Sequence, residues 1–85
     1  MRVIVLLRPL AEARGLTKSD VQIGAQLTMP LVRRYWYSTS NGSEHGSPLQ
    51  DVKLDVIGRL AHYLQVEPGD LIGWAPAADG SAPNS

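Results

Sequence analysis

The sequence predicts an all-α fold: a compact domain of five short helices preceded by one short β-strand. Three observations predict it. Val52, Val56, Ile57, Leu60, Ala61 and Leu64 form an apolar stripe at helical spacing. Two helix-capping residues, Thr17 and Thr28, each open a short helical stretch. Only Val3-Ile4-Val5 has the β-branched run of a strand.

Residues 2–6 read as that strand, because a helix does not run easily through Pro9. Pro9 also turns Arg8 away from the α region, so the first helix is expected to start near Arg8 or Pro9 and to stop at Gly15. A lone strand exposes unpaired backbone groups and needs a neighbour. The expected neighbour is the 38–52 connection or the same strand of another chain, which makes Val3, Ile4 and Val5 the dimerisation residues.

The second helix covers about residues 18–25. Thr17-Lys18-Ser19-Asp20 is a capping box with Asp in place of the usual Glu, and Val21 and Ala25 share the inner face. The third helix covers about residues 29–37. Thr28 caps it, and Pro30 falls in the first turn, where a missing N–H costs little. Val32 and Tyr35 point inward, which leaves Arg33 and Arg34 outside. Trp36 reads as core, with a dimer contact as the sharper alternative.

Residues 38–48 are rich in turn formers and lack periodicity, so they read as a loop that is mobile or touches a ligand. A fourth helix is expected over about residues 51–64. Pro68 opens a short fifth over residues 69–72. Residues 1–74 thus make one domain. Residues 75–85 hold only Ala, Pro, Gly, Ser, Asp and Asn, too little apolar surface to order themselves, and read as a disordered tail.

Composition narrows the functional classes. The 85 residues suffice for one small domain, and 44% hydrophobic content suits a folded core. No cysteine is present, so disulfides and thiolate metal sites are excluded, in keeping with a reducing cytoplasm. The apolar run at residues 3–7 is too short for a membrane span or a signal-peptide core, and a cytoplasmic protein is expected. The net charge is zero but unevenly spread. Residues 1–43 carry six basic side chains against two acidic ones, a net +4, and residues 44–85 carry the reverse, a net −4. Such polarity lets a neutral domain present a basic face to phosphate.

Catalytic patterns are missing. His45 and His62 lack metal-ligand spacing, and Asp51 and Asp55 read as a solvated face near a helix N-terminus rather than a carboxylate pair. No Gly-rich phosphate loop or activated nucleophile is present. The reading is non-enzymatic, with no cofactor, no metal and no evident small-molecule ligand. Two short capped helices on a tight turn, the second basic, instead have the geometry that enters a DNA major groove.

The residues carry a family resemblance over positions 7–72. Leu16-Thr17-Lys18-Ser19-Asp20-Val21 resembles the "GLTQ-x-x-LA" second helix of the λ-repressor/Cro-type helix-turn-helix domains (the XRE class). Leu27-Thr28 resembles that family's entry to the recognition helix. The segment from Leu54 to Leu71 resembles its "L-E-x-L-x-x-I-A-x-A-L-x-V-x-P-G-D-L" close. Four departures stand out. Gln22 replaces a small Ala, and Gln26 replaces the turn Gly at a left-handed position that costs a side chain roughly 1–2 kcal/mol. Met29-Pro30 stands where relatives have polar base readers, and the 38–48 connection is longer than usual.

The resemblance implies a transcriptional regulator that binds double-stranded DNA sequence-specifically as a homodimer. Thr17 and Lys18 would then meet phosphate, and Thr28, Met29 and Pro30 would enter the groove. Arg33 would contact a guanine edge, Arg34 would clamp a phosphate and Tyr37 would add a phosphate hydrogen bond. The alternative is a protein-interaction module on the same fold, such as an antitoxin-like or tethering subunit, favoured by the neutral charge and the aromatic third helix.

Overall fold

The structure, a computed structural model, describes residues 2–75. The elements run β1 (Arg2–Val5), α1 (Leu7–Ala13), α2 (Lys18–Ala25), α3 (Met29–Tyr37), α4 (Leu54–Leu64), a 3-10 turn (Pro68–Leu71) and β2 (Ile72–Ala75). The domain is therefore mostly helical, with four α-helices and a two-stranded sheet.

Two expectations change at the C-terminal end. The fifth helix is a single 3-10 turn, because the chain is extended again at Ile72 (φ −120°, ψ 131°). Residues 72–75 then form β2, antiparallel to β1, with Arg2 opposite Ala75, Val3 opposite Trp74, Ile4 opposite Gly73 and Val5 opposite Ile72. The Leu6 N–H donates to the Leu71 carbonyl at 2.7 Å and extends this pairing. The neighbour of β1 is thus β2, rather than the 38–52 connection. The tail expected from residue 75 lies outside the described residues from 76 onward, and Ala75 itself ends β2.

The helices start and stop for local reasons. Leu7 opens α1 one residue earlier than expected. Pro9 is accommodated in the first turn, where N–H groups have no helical partner. Gly15, at φ +69°, closes α1 through a Schellman pair, Leu16 N–H to Ala11 O at 2.9 Å and Gly15 N–H to Glu12 O at 3.0 Å. The same motif ends α2 and α4, but with Gln26 and Gln65 in the left-handed position, both at φ 58°. The turn between α2 and α3 is therefore built without glycine.

Helix α4 begins at Leu54, not Asp51. Residues before it are extended, and the Lys53 N–H donates to the Tyr35 hydroxyl at 2.8 Å instead of entering a helix. Asp51 and Asp55 therefore do not share a helical turn. Asp55 pairs with Arg59 at 3.2 Å.

Leu7, Val21, Val32, Leu60 and Leu71 are fully buried, one or more from each of the four helices and one from the 3-10 turn. Each contributes about 1.5–3 kcal/mol by leaving water. Tyr35 and Trp36 join this core, as expected for Tyr35 and for the simpler reading of Trp36. Gly24 marks the closest approach of α2 to α4: a β-carbon there would collide with the Tyr63 ring. Gln22, expected to crowd this crossing, lies half-buried beside it.

Candidate nucleic-acid interface

The surface around α2 and α3 is built from the Thr17 cap outward. The Thr17 N–H donates to Asp20 Oδ2 at 2.9 Å, and the Asp20 N–H donates to Thr17 Oγ1 at 3.2 Å. This reciprocal pair fixes the first turn of α2 and so the position of Lys18. The Lys18 ammonium donates to the Tyr37 hydroxyl at 2.8 Å and lies 4.9 Å from the Tyr37 ring centre and 5.4 Å from that of Trp36. Two residues predicted separately to meet phosphate thus stand side by side.

Arg8 extends this cluster. Its guanidinium lies 5.7 Å from the Tyr37 ring centre, donates through Nε to Glu12 at 3.1 Å and sits 3.7 Å from Glu44. The hydrogen bond and charge of Glu12 raise the Arg8 pKa above its ordinary value, so it stays cationic at any working pH.

Thr28 occupies the N-cap of α3 with extended backbone (φ −81°, ψ 154°), but its hydroxyl makes no bond to the helix. The cap expected of its side chain is therefore not formed. Thr28, Pro30, Arg33 and Arg34 are exposed, while Met29 is half-buried against the core. No ion pair among the described residues engages Arg33 or Arg34. The two arginines diverge. Arg33 flanks Met29, Pro30 and residues 41–43, whereas Arg34 flanks Leu49, Asp51 and Lys53.

The 38–49 connection is ordered by backbone bonds. Thr39 bridges Pro48, Ser40 N–H donates to Ser47 O at 2.8 Å, and Leu49 N–H donates to Ser38 O at 2.9 Å. Ser38 takes the left-handed conformation at φ 56°, and its hydroxyl accepts from the Val5 N–H at 3.2 Å. Residues 41–43 then lie against the outer side of α3, where a β-carbon on Gly42 would come within 3.3 Å of Arg33 Cβ. Sequence reasoning did not single out this contact. Asn41-Gly42 is a hairpin-turn signal that could have revealed the ordered turn, though not where it docks.

His45 and His62 remain apart, His45 beside Arg2 and Arg8 and His62 beside Gln26 and Arg59. Among the described residues no group of three His, Cys, Asp or Glu side chains is placed to hold a metal ion, and no helix is long and apolar enough to cross a membrane.

No curated protein matches the sequence. The family model described as a Cro/C1-type HTH DNA-binding domain matches residues 7–77, which takes in all four helices, the turn between α2 and α3, and the 3-10 close. The chain belongs to the Cro/C1-type helix-turn-helix DNA-binding domains.

Proposed function

We propose that this protein is a transcriptional regulator that binds double-stranded DNA sequence-specifically and acts without catalysis. The observation that carries the reading is the outward row of Thr28, Pro30, Arg33 and Arg34 on α3, without ion-pair partners among the described residues, behind a firmly capped α2. Helix α3 enters the major groove. Arg33 donates to a guanine N7/O6 edge, Met29 and Pro30 offer apolar contact to thymine methyls, and the Thr28 hydroxyl is free to bond at the groove entry. Thr17, Lys18, Arg34 and Tyr37 hold phosphate and set the register.

The working unit we propose is a homodimer joined along β1. The Leu6–Leu71 bond fixes which backbone groups face β2, and strand alternation directs the N–H and C=O of Val3 to the opposite edge. On that edge the Val5 N–H is already taken by Ser38, while Val3 is half exposed. A second copy pairing antiparallel about Val3 satisfies those groups, with Ile4 and Val5 flanking the contact.

Selection of bound duplexes from a random pool tests the reading. Enrichment of a palindrome with half-sites about 34 Å apart is expected. A pool without enrichment contradicts it and favours a protein partner for the same fold.

A further inference from the structure

We infer that the turn at Asn41, Gly42 and Ser43 forms, together with Arg33, a donor-lined notch that receives an acceptor-rich group of the bound DNA. The group is a backbone phosphate oxygen or the N7/O6 edge of a guanine. The inference rests on the DNA-binding reading above and adds a second element to α3.

The notch is an open cleft of about 520 Å³ lined by Met29, Pro30, Arg33, Asn41, Gly42 and Ser43. Its floor is apolar and its polar groups are donors. The Asn41 carboxamide oxygen is occupied, since it accepts from the Ser43 N–H at 2.9 Å. That leaves the Asn41 NH2 to donate outward, without a partner among the described residues. The Ser43 carbonyl is likewise occupied by the Thr39 hydroxyl at 2.7 Å, which leaves the Ser43 hydroxyl available. Arg33 adds a guanidinium without an ion-pair partner among the described residues. Three donors over an apolar floor suit a ligand that only accepts.

The turn is held at this place. Gly42 is buried at φ +78°, where a β-carbon would press on Arg33 Cβ, and the carbonyl of Pro30 is equally close at 3.6 Å. The Thr39–Pro48 bridge closes the base of the turn, and the Glu44–Arg8 pair ties its far side to α1. The notch therefore moves with α3 as one body, so whatever α3 reads, residues 41 and 43 meet at a fixed offset.

Operator affinity of Asn41→Asp, Ser43→Ala, Ser40→Asp and Arg33→Ala tests the inference. Asn41→Asp keeps the oxygen that holds the turn and replaces the donor by a negative charge. Ser40→Asp places the same charge on the same hairpin outside the notch. Asn41→Asp is expected to weaken binding about tenfold or more, well beyond Ser40→Asp, and Ser43→Ala a few-fold. A loss equal on operator and unrelated duplex identifies the phosphate, and a loss confined to the operator identifies the guanine edge. Equal losses for Asn41→Asp and Ser40→Asp overturn the inference. So does wild-type affinity in Asn41→Asp while Arg33→Ala is weakened, which leaves the reading of α3 intact. If Asn41→Asp lowers the melting temperature, Ser43→Ala decides alone, and its unchanged affinity overturns the notch. Unchanged affinity in Arg33→Ala combined with Arg34→Ala would instead remove the reading of α3 itself.

Discussion

The Lys18 ammonium and the Tyr37 hydroxyl, nineteen residues apart, meet at 2.8 Å and join the first turn of α2 to the last turn of α3. The pair fixes a cation and a hydroxyl on one spot of the surface, with the Trp36 and Tyr37 rings beneath the charge. A preset pair loses less side-chain freedom on meeting a phosphate than two separate long side chains would. Tyr37→Phe keeps the ring and removes the hydroxyl, so DNA affinity should fall several-fold, about 1 kcal/mol, with little change in stability. Lys18→Ala should lower the slope of log affinity against log salt by about 1, equally for all duplexes. Titrations of both variants at several salt concentrations check this.

The Thr17–Asp20 box is a stability element as well as a positioning one. Thr17→Ala leaves the Asp20 N–H without its side-chain acceptor and should cost about 1 kcal/mol of unfolding free energy. Urea denaturation measures it.

Gln26 holds φ 58° where a glycine has no side-chain penalty. Its carbonyl, not its side chain, accepts from Arg59 at 3.1 Å, so Gln26→Gly keeps that bond. The substitution should stabilise the domain by about 1 kcal/mol, read as a raised denaturation midpoint.

Val3 lies on the open edge of β1, half exposed and opposite Trp74. Val3→Lys brings like charges together across a two-fold strand pair and should convert the dimer to a monomer without unfolding it. Sedimentation equilibrium decides, and a wild-type chain that stays monomeric at high concentration contradicts the dimer. Deleting the strand is a poorer test, since Val5 is in the core and β2 depends on β1.

Much of the fold was legible because local rules agree with one another. The Thr17 box, the Gly15 stop and the stripe on α4 each follow from sequence-adjacent residues, and each formed. The missed features depend on residues distant in sequence. Ile72-Gly73-Trp74-Ala75 has little strand character of its own and becomes β2 because β1 supplies a partner. The start of α4 at Leu54 is set by the Tyr35 hydroxyl, eighteen residues earlier, which binds the Lys53 N–H. In the candidate interface, Arg33 and Arg34 could be placed outside from helical spacing alone. That Lys18 meets Tyr37, and that residues 41–43 line the same cleft as Arg33, required the packing of α1 and the hairpin around α3.

Helix α3 is held to touch DNA through Arg33 and Arg34. The most direct measurement is the affinity of wild type and of Arg33→Ala combined with Arg34→Ala for a selected duplex, from about 50 to 200 mM salt. Wild-type affinity should fall roughly a hundredfold over that range, as expected for four phosphate contacts. The double variant should bind more weakly at every point and with a shallower slope. Equal affinity in the two proteins, or wild-type binding indifferent to salt, would contradict the account.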